Sequence, residues 1–408
     1  MKIVLLHYAA PPIIGGVESV MGHHANLMHQ AGYQVLILAG RGEQVDENIP
    51  FMSIPLLDSR HPDILKAKAS LDQGIVPLDF DRLVATIAES LRKILSPTDI
   101  LIAHNVCSLN KNLMLTAALK LMMQKPGAPR LILWHHDLAW TTPRYTNELH
   151  EGYPWNLLKT DWPEAVQVTI SKPRQSELAR LLNVPPERIE IIPNGVNTNA
   201  FLKLERLTRL WVKKLKLLTA SPLMLLPVRI TPRKNIELAI RALAELRSDF
   251  PDARLVVTGP QVAHNPANAA YFELLTNLRA ELDLNDAVIF LAEQSEEYLP
   301  DAVIADFYQL ADILILPSRE EGFGIPILEA GLAGLPIFCA DIPPLHAIGE
   351  ENVTYFSPDT SPKELALCIT SQLNQDKVFA LRRRIKQEFT WDQIFSERIQ
   401  PLLSGREE

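Results

Sequence analysis

Pro317 to Gly334 reads PSREEGFGIPILEAGLAG, and the order of residue types in it sets the architecture around it. Just upstream, Ala311 to Leu316 (ADILIL) is a short apolar run of the kind buried in a parallel sheet. Gly322 and Gly324 let the backbone come close to a ligand, and Pro326 suits the first turn of a helix. Ile327, Leu328 and Leu332 are expected to give that helix its apolar face. A strand, a glycine-containing turn and a helix N-terminus with free N–H groups together form an anion site. Two carboxylates flank it: Glu321 in the turn and Glu329 about one turn into the helix. Alone they would be a solvated acid and a helix-surface acid. The strand and the glycines make them a pair facing a ligand at the helix end.

The same alternation of apolar runs and helical patterns extends in both directions, as in a doubly wound parallel sheet. In the first half, Ile3 to Leu6, Gln34 to Leu38, Ile100 to Ala103, Leu131 to Leu133 and Val166 to Ile170 read as strands. Val17 to Gln30, Arg82 to Leu95 and Leu109 to Met123 read as helices between them. The pattern pauses at Arg188 to Asn197 (RIEIIPNGVN), where Pro193, Asn194 and Gly195 signal a turn. It restarts with strands at Met224 to Pro227, Leu255 to Thr258, Val288 to Leu291, Ile313 to Leu316 and Ile337 to Cys339. The expected fold class is therefore α/β, with two Rossmann-like, doubly wound parallel-sheet domains facing a cleft. Ligands of such sheets bind beyond the carboxyl ends of the strands. The boundaries are 1–197 for the first domain, 198–389 for the second, and 390–408 for a C-terminal helical stretch.

Length and composition agree with that scale. A chain of 408 residues is too long for one ordinary core. Hydrophobic residues at 47% and charged residues at 22% describe a globular protein, and a net charge of -8 argues against a nucleic-acid partner. Cys107, Cys339 and Cys368 lack paired spacing, so they read as core thiols of a reducing compartment. The N-terminal MKIVLLHYAAPP has too short an apolar run for a signal peptide and reads as a first strand. No stretch approaches the roughly 18 apolar residues of a membrane span.

Several groups at strand ends can carry chemistry. At the first βα junction, PPIIGGVES places Gly15 and Gly16 before a helix, where backbone N–H groups can meet an anion. In the second half, LPVRITPRKN (Leu226 to Asn235) puts Arg229 and Lys234 at the end of a strand, where they can clamp a diphosphate. Arg233 reads as solvated. LILWHHDLAW (Leu131 to Trp140) ends a strand in His135, His136 and Asp137. The aromatic stretch Trp140, Tyr145, Tyr153, Trp155 and Trp162 can either stack on sugar rings or pack a long loop. Asp79-Phe80-Asp81 spells a metal-binding DxD pattern but is better read as a helix cap. His23, His24 and His29 lack a carboxylate partner at metal-ligand spacing and read as surface or packing residues. Ser171 can cap a helix. Lys203 to Lys216 is a basic amphipathic stretch, either a membrane-surface helix or an interdomain helix with a solvated basic face.

The segment DFYQLADILILPSREEGFGIPILEAGLAGLPIFCADIPPL, Asp306 to Leu345, resembles the donor-site region of the retaining glycosyltransferases of family 4, which have the GT-B fold. The resemblance implies that Glu321 contacts the transferred sugar and Glu329 the ribose of a nucleotide-sugar donor. Gly322, Phe323, Gly324 and Ile325 belong to the same donor motif, and Gly15 and Gly16 match the family's first glycine loop across the cleft. Arg229 and Lys234 would neutralise the leaving nucleoside diphosphate, so no metal ion or other cofactor is expected. His136 matches the histidine near the transferred sugar, with His135 the alternative register. Ser171 with Lys172 matches a family position near the cleft, and the resemblance implies that the C-terminal helical stretch, Thr390 to Leu403, crosses back to the first domain.

Two departures stand out: Val228 where the family has Gly, and His346-Ala347 where it often has Glu. The implied reaction moves a hexose, from a donor of the UDP-glucose or GDP-mannose type, to an acceptor hydroxyl on a lipid, a glycan or a small polyol. With no enzymic nucleophile evident, same-face attack is implied. A cytoplasmic enzyme is expected, with peripheral contact at the inner face of the membrane as a variant. The other class is a catalytically silent nucleotide-sugar-binding protein of the same fold. A nicotinamide dehydrogenase is disfavoured because no GxGxxG follows the first strand.

Overall fold

The computed structural model describes residues 2–260, 266–295 and 298–405. The chain divides into two compact units, Met1–Gly195 with Trp391–Glu408, and Val196–Thr390. In the first unit seven parallel strands lie in the order β3-β2-β1-β4-β5-β6-β7. They are β1 (Lys2–Ala9), β2 (Gln34–Arg41), β3 (Phe51–Ser53), β4 (Ile100–His104), β5 (Arg130–His135), β6 (Ala165–Thr169) and β7 (Ile189–Ile191).

Helices cover both faces of this sheet, so its central strands carry apolar runs up to the polar residues at their ends, and the period of two divides those runs between two cores. Ile3 and Leu5 of β1 pack with Met21, Ala25 and Met28 of the helix Gly16–Gln30. Val4, Leu6 and Tyr8 pack on the other side with Leu83, Ile87 and Leu91 of the helix Phe80–Arg92. Trp391, Ile394, Phe395, Ile399 and Leu403 join the first of these cores. Arg130 fixes that C-terminal segment by donating to the carbonyls of Leu402 and Leu403 at 2.8 and 3.0 Å.

The second unit repeats the design with six parallel strands in the order β10-β9-β8-β11-β12-β13. These are β8 (Leu223–Leu226), β9 (Arg254–Val257), β10 (Val288–Phe290), β11 (Ile313–Leu316), β12 (Ile337–Ala340) and β13 (Thr354–Phe356). Strand order reverses at β8, whose neighbours are β9 and β11, and at such a point the loops after adjacent strands diverge and leave room for a ligand. Leu314↔Leu225 and Leu314↔Ile337 set the central register.

Several local expectations need correction. Thr390 to Leu403 is not one regular helix: α-helical turns at Trp391–Ile394 and Gln400–Ser404 flank a π-turn at Phe395–Ile399. Pro401 has no N–H for the i→i−4 ladder and crowds the preceding turn, which accounts for the wider turn there. The helix predicted from Leu109 starts at Leu113, because the Asn112 side chain accepts from Leu115 N and caps it.

Asp79 does occupy the N-cap of its helix, but at φ -92° and ψ 6° its side chain makes no cap hydrogen bond and pairs instead with Arg82 at 3.3 Å. The basic stretch forms the helix Arg206–Lys214, and its apolar side is used inside the second unit. Trp211 meets Phe307, and Thr208 donates to the buried Asp306 at 2.5 Å. Leu210 of the same helix is 59% exposed.

Candidate functional site

The reversal point of the second sheet carries a pocket of about 410 Å³. The loop after β8 supplies Pro227, Val228 and Arg229 to its wall, the loop after β9 supplies Thr258, Gly259 and Pro260, and the helix Ile325–Leu332 supplies Ile325, Pro326 and Glu329. Gly259 permits this convergence: a Cβ there would stand 1.9 Å from the carbonyl oxygen of Val228. Arg229 is exposed on the rim.

Gly324 sits at the helix N-cap with φ +108°, a conformation costly for any residue with a Cβ, and a Cβ would lie 2.9 Å from Leu345. Pro326 occupies the first turn, where its missing N–H costs nothing. No side chain caps this helix; Ile327 N is bonded to the Gly324 carbonyl at 2.9 Å and Pro326 has no N–H, which leaves the start of the turn, at Ile325, to meet an anion. Ile327 and Ala330 anchor the helix, whereas Leu328 and Leu332 are 47% and 92% exposed, contrary to the expected apolar face. The helix has eight residues, and its buried stripe is narrower than the sequence suggested.

The two glutamates have different partners. Glu321 is almost buried and paired with the equally buried Lys234, Nζ to Oε1 at 2.5 Å. Ser318 donates to the same oxygen at 2.7 Å. Lys234 ends a 3₁₀ turn, Pro232–Lys234, tied to the loop after β11 by a bond from Arg319 N to the Arg233 carbonyl at 2.9 Å. Glu329, exposed on its helix, accepts a very short hydrogen bond from the Tyr308 hydroxyl. Arg229 lines the pocket, whereas Lys234 is held against Glu321. Gly322 and Phe323 lie in the turn between, exposed. His346 pairs with Asp341 at 3.2 Å and stacks on Tyr355. The residues that sequence reasoning missed include those after β9, the pocket-lining residues from Leu291 to Ile304, and Tyr308. Only the Thr258-Gly259-Pro260 turn signal could have pointed to any of them.

In the first unit Gly15 is the N-cap of the helix Gly16–Gln30, with extended φ of -174°. A Cβ on Gly15 would meet only the flexible Glu18 carboxylate, and one on Gly16 would meet nothing within 4 Å. Neither glycine is required by the backbone, so the turn alone does not explain them.

The carboxyl ends of β1, β4 and β5 bring histidines together. His7 Nδ1 donates to the His104 carbonyl at 2.7 Å, and His104 Nδ1 lies 3.2 Å from His136 Nε2. Asn105, at φ +59°, accepts with Oδ1 from the backbone N–H groups of His136 and Asp137 at 2.7 and 3.1 Å. His135 turns the other way, to Gln167 at 2.8 Å. Both His135 and His136 are buried.

Burial pushes His135 and His136 down to about 4, and His7 to about 3, so all are neutral near pH 7. His24, read as a surface or packing residue, is fully buried among Trp134, His104 and Trp391. Trp155 and Trp162 are likewise buried and pack the long loop. Ser171 caps the helix Lys172–Leu182 through Arg174 N at 3.4 Å. Among the described residues no group of three or more His, Cys, Asp or Glu could hold a metal ion, and no helix is long and apolar enough to cross a membrane.

Residues 14–200 match the model of Glycosyltransferase Family 4, and residues 208–389 match that of Glycosyl transferases group 1. The chain is 29% identical over 208 residues to a D-inositol 3-phosphate glycosyltransferase of Thermobispora bispora, covering 50% of this chain and 47% of that protein. It is 25% identical over 369 residues to a mannosylglucosylglycerate synthase of Petrotoga mobilis, covering 84% and 83%. The match thus spans about half the length of the first relative and most of the second. A solved structure of Anabaena HepE in complex with UDP is similar at 19% identity, over 99% of this chain and 100% of that chain, with a TM-score of 0.37. The two family matches, one in each unit, together with the donor motif as it stands around Glu321 and Glu329, assign this chain to the family 4, group 1 glycosyltransferases.

Proposed function

We propose that the protein is a retaining glycosyltransferase that moves a hexose from a nucleoside-diphosphate sugar, of the UDP-glucose or GDP-mannose type, to an acceptor hydroxyl. The observation that carries this reading is the pocket at the reversal point of the second sheet. It combines a cation, Arg229, with an uncapped helix N-terminus after Gly324 and a carboxylate, Glu329. A diphosphate between Arg229 and the helix start at Ile325 would place its ribose hydroxyls at Glu329. Lys234, held against Glu321, would add positive potential as the leaving phosphate gains charge, which removes the need for a metal ion.

In the proposed step the bond from the sugar C1 to the phosphate oxygen breaks while the acceptor oxygen bonds C1 on the same face. The acceptor proton passes to the departing phosphate oxygen. Glu321, fixed by Lys234 and Ser318 on one oxygen, keeps the other for the sugar hydroxyls. His136, neutral and bonded to His104, is a poor base and contributes as a hydrogen-bonding group. Gly15 and Gly16 are assigned to the approach of the donor diphosphate. The names carried by the two relatives favour a small polyhydroxylated acceptor over a lipid. A cytoplasmic reaction, where nucleotide sugars are supplied, is part of the same reading.

The test is incubation with a panel of UDP and GDP sugars and polyol acceptors, with products followed by mass spectrometry. One donor is expected to be consumed with retention at the anomeric carbon, and Glu329→Ala to lose activity by about a hundredfold. Normal turnover by Glu329→Ala would sink the assignment. Donor binding without hydrolysis or transfer would support the silent binding protein instead.

A further inference from the structure

Tyr308 lies on the helix Asp301–Leu310, whose first turn contributes Asp301 and Ile304 to the pocket wall. Its ring is part of the second unit's core and only 4% exposed. Its hydroxyl leaves that core to meet an exposed side chain, donating a very short hydrogen bond to Oε2 of Glu329. Packing alone would be served by phenylalanine.

A second tyrosine in the same unit supplies a contrast. Tyr271 donates to Glu237, and its hydroxyl also accepts from Ile236 N at 2.9 Å, at the start of the helix Ile236–Leu246. That hydroxyl completes a helix end. Tyr308 makes no such backbone bond among the described residues, and its carboxylate partner lines the pocket.

We infer that Tyr308 is a positioning residue for donor binding: it holds one oxygen of Glu329 so that the other faces the ribose hydroxyls of a nucleoside diphosphate. A glutamate free on a helix surface has several rotamers, and ordering it on binding costs side-chain entropy. The Tyr308 bond makes that choice before the ligand arrives. Burial, then the bond to Glu329, pushes the phenol well above its ordinary range, so it remains a donor at working pH. Tyr308 itself does not line the pocket and touches no reacting atom. This role rests on the donor-pocket reading given above.

Calorimetry with UDP and 2′-deoxy-UDP, and with GDP and 2′-deoxy-GDP, tests it on wild type, Tyr308→Phe and Glu329→Gln. Wild type is expected to prefer one ribonucleotide over its deoxy form. Tyr308→Phe should bind that ribonucleotide about tenfold more weakly, as loss of one bond to a charged group implies, with little change for the deoxy form. In turnover it should raise the donor KM while leaving kcat nearly unchanged. Thermal unfolding on the same preparations separates this from loss of fold. Should Tyr308→Phe melt below the assay temperature, Tyr308→Met, a flexible apolar filler, is measured for the same ratio.

If Glu329→Gln erases the ribose preference while Tyr308→Phe keeps it, the positioning role is overturned and the pocket reading stands. If Glu329→Gln also keeps it, or neither diphosphate binds, the pocket reading fails and takes the inference with it.

Discussion

At the carboxyl ends of β8 and β11 the second unit meets charge with charge: Arg229 lines an open pocket, and Lys234 is pressed against Glu321. At the carboxyl ends of β1, β4 and β5 the first unit places His7, His104, His135 and His136, all buried and all pushed below their ordinary range by that burial. The topologies are alike, with parallel strands and a reversal of order beside a central strand. What differs is the local dielectric and what it permits. Ions that keep a partner or reach water can stay charged, and they suit a ligand that is itself an anion. Imidazoles without water stay neutral and can only give or accept a hydrogen bond. Two copies of one architecture thus offer a charged end and a neutral polar end.

Breaking the charged end should have the largest effect. Lys234→Ala leaves Glu321 nearly buried with only Ser318 beside it. Removing one partner of a buried pair costs on the order of 3 kcal/mol, and loss of the cation should cut turnover by at least about a hundredfold. Pairing Lys234→Ala with Glu321→Gln should restore much of the melting temperature, because the unpaired charge is gone, but none of the turnover. Single-turnover rates and thermal unfolding on the three variants check this. Wild-type turnover in Lys234→Ala would show that the pair is only structural.

The contrast between the two ends was partly legible in the sequence. The strand-turn-helix around Gly324 and Pro326 could be read because each element is marked by its own residues: an apolar run, a glycine that tolerates φ +108°, and a proline in a first turn. The edge strands Phe51–Ser53 and Thr354–Phe356 could not, since they are three residues long and, unlike the fully buried three-residue edge strand Val288–Phe290, include polar residues and lack a continuous apolar run. Partners were the hardest to foresee. Lys234 finds Glu321 across 87 positions, and Tyr308 finds Glu329 from a neighbouring helix. Each such pair depends on which elements the sheet order brings together, and a local pattern does not carry that information. For the same reason His24 looked like a surface or packing residue on its helix. Only the packed fold shows it enclosed by Trp134, His104 and Trp391.

The neutral end should fail in acid, and the sign can be worked out. An unfolded histidine takes up a proton near 6.5, but folded His24 does so only near 3 and His136 near 4. Between these values the unfolded state binds more protons, so stability falls as pH drops below about 6.5 and is steady above it. His24 is the group to remove, since among the described residues neither ring nitrogen has a hydrogen-bond partner and both its tryptophan neighbours meet it edge-on. His24→Phe should change stability by less than about 1.5 kcal/mol at neutral pH, as a ring-for-ring exchange. It should also flatten the acid limb of a plot of melting temperature against pH. An unchanged acid limb would mean that other groups govern the acid response.

The smallest effect on stability is expected at Gly16, and it is informative for that reason. In the second unit a Cβ on Gly324 would press on Leu345, so replacing that glycine disturbs the fold and the site together. A Cβ on Gly16 would meet no atom within 4 Å, and alanine is the better helix former at the first helical position. Gly16→Ala should therefore leave the melting temperature unchanged or raise it slightly. If the proposed assignment of Gly15 and Gly16 to the donor diphosphate holds, the same methyl group obstructs close approach of the phosphate to the helix N–H groups, and kcat/KM for the donor should fall on the order of tenfold. A drop in activity with intact stability can come only from what the glycine admits. Wild-type activity in Gly16→Ala would reduce the glycine pair to a turn and leave the binding of the anion to the second unit.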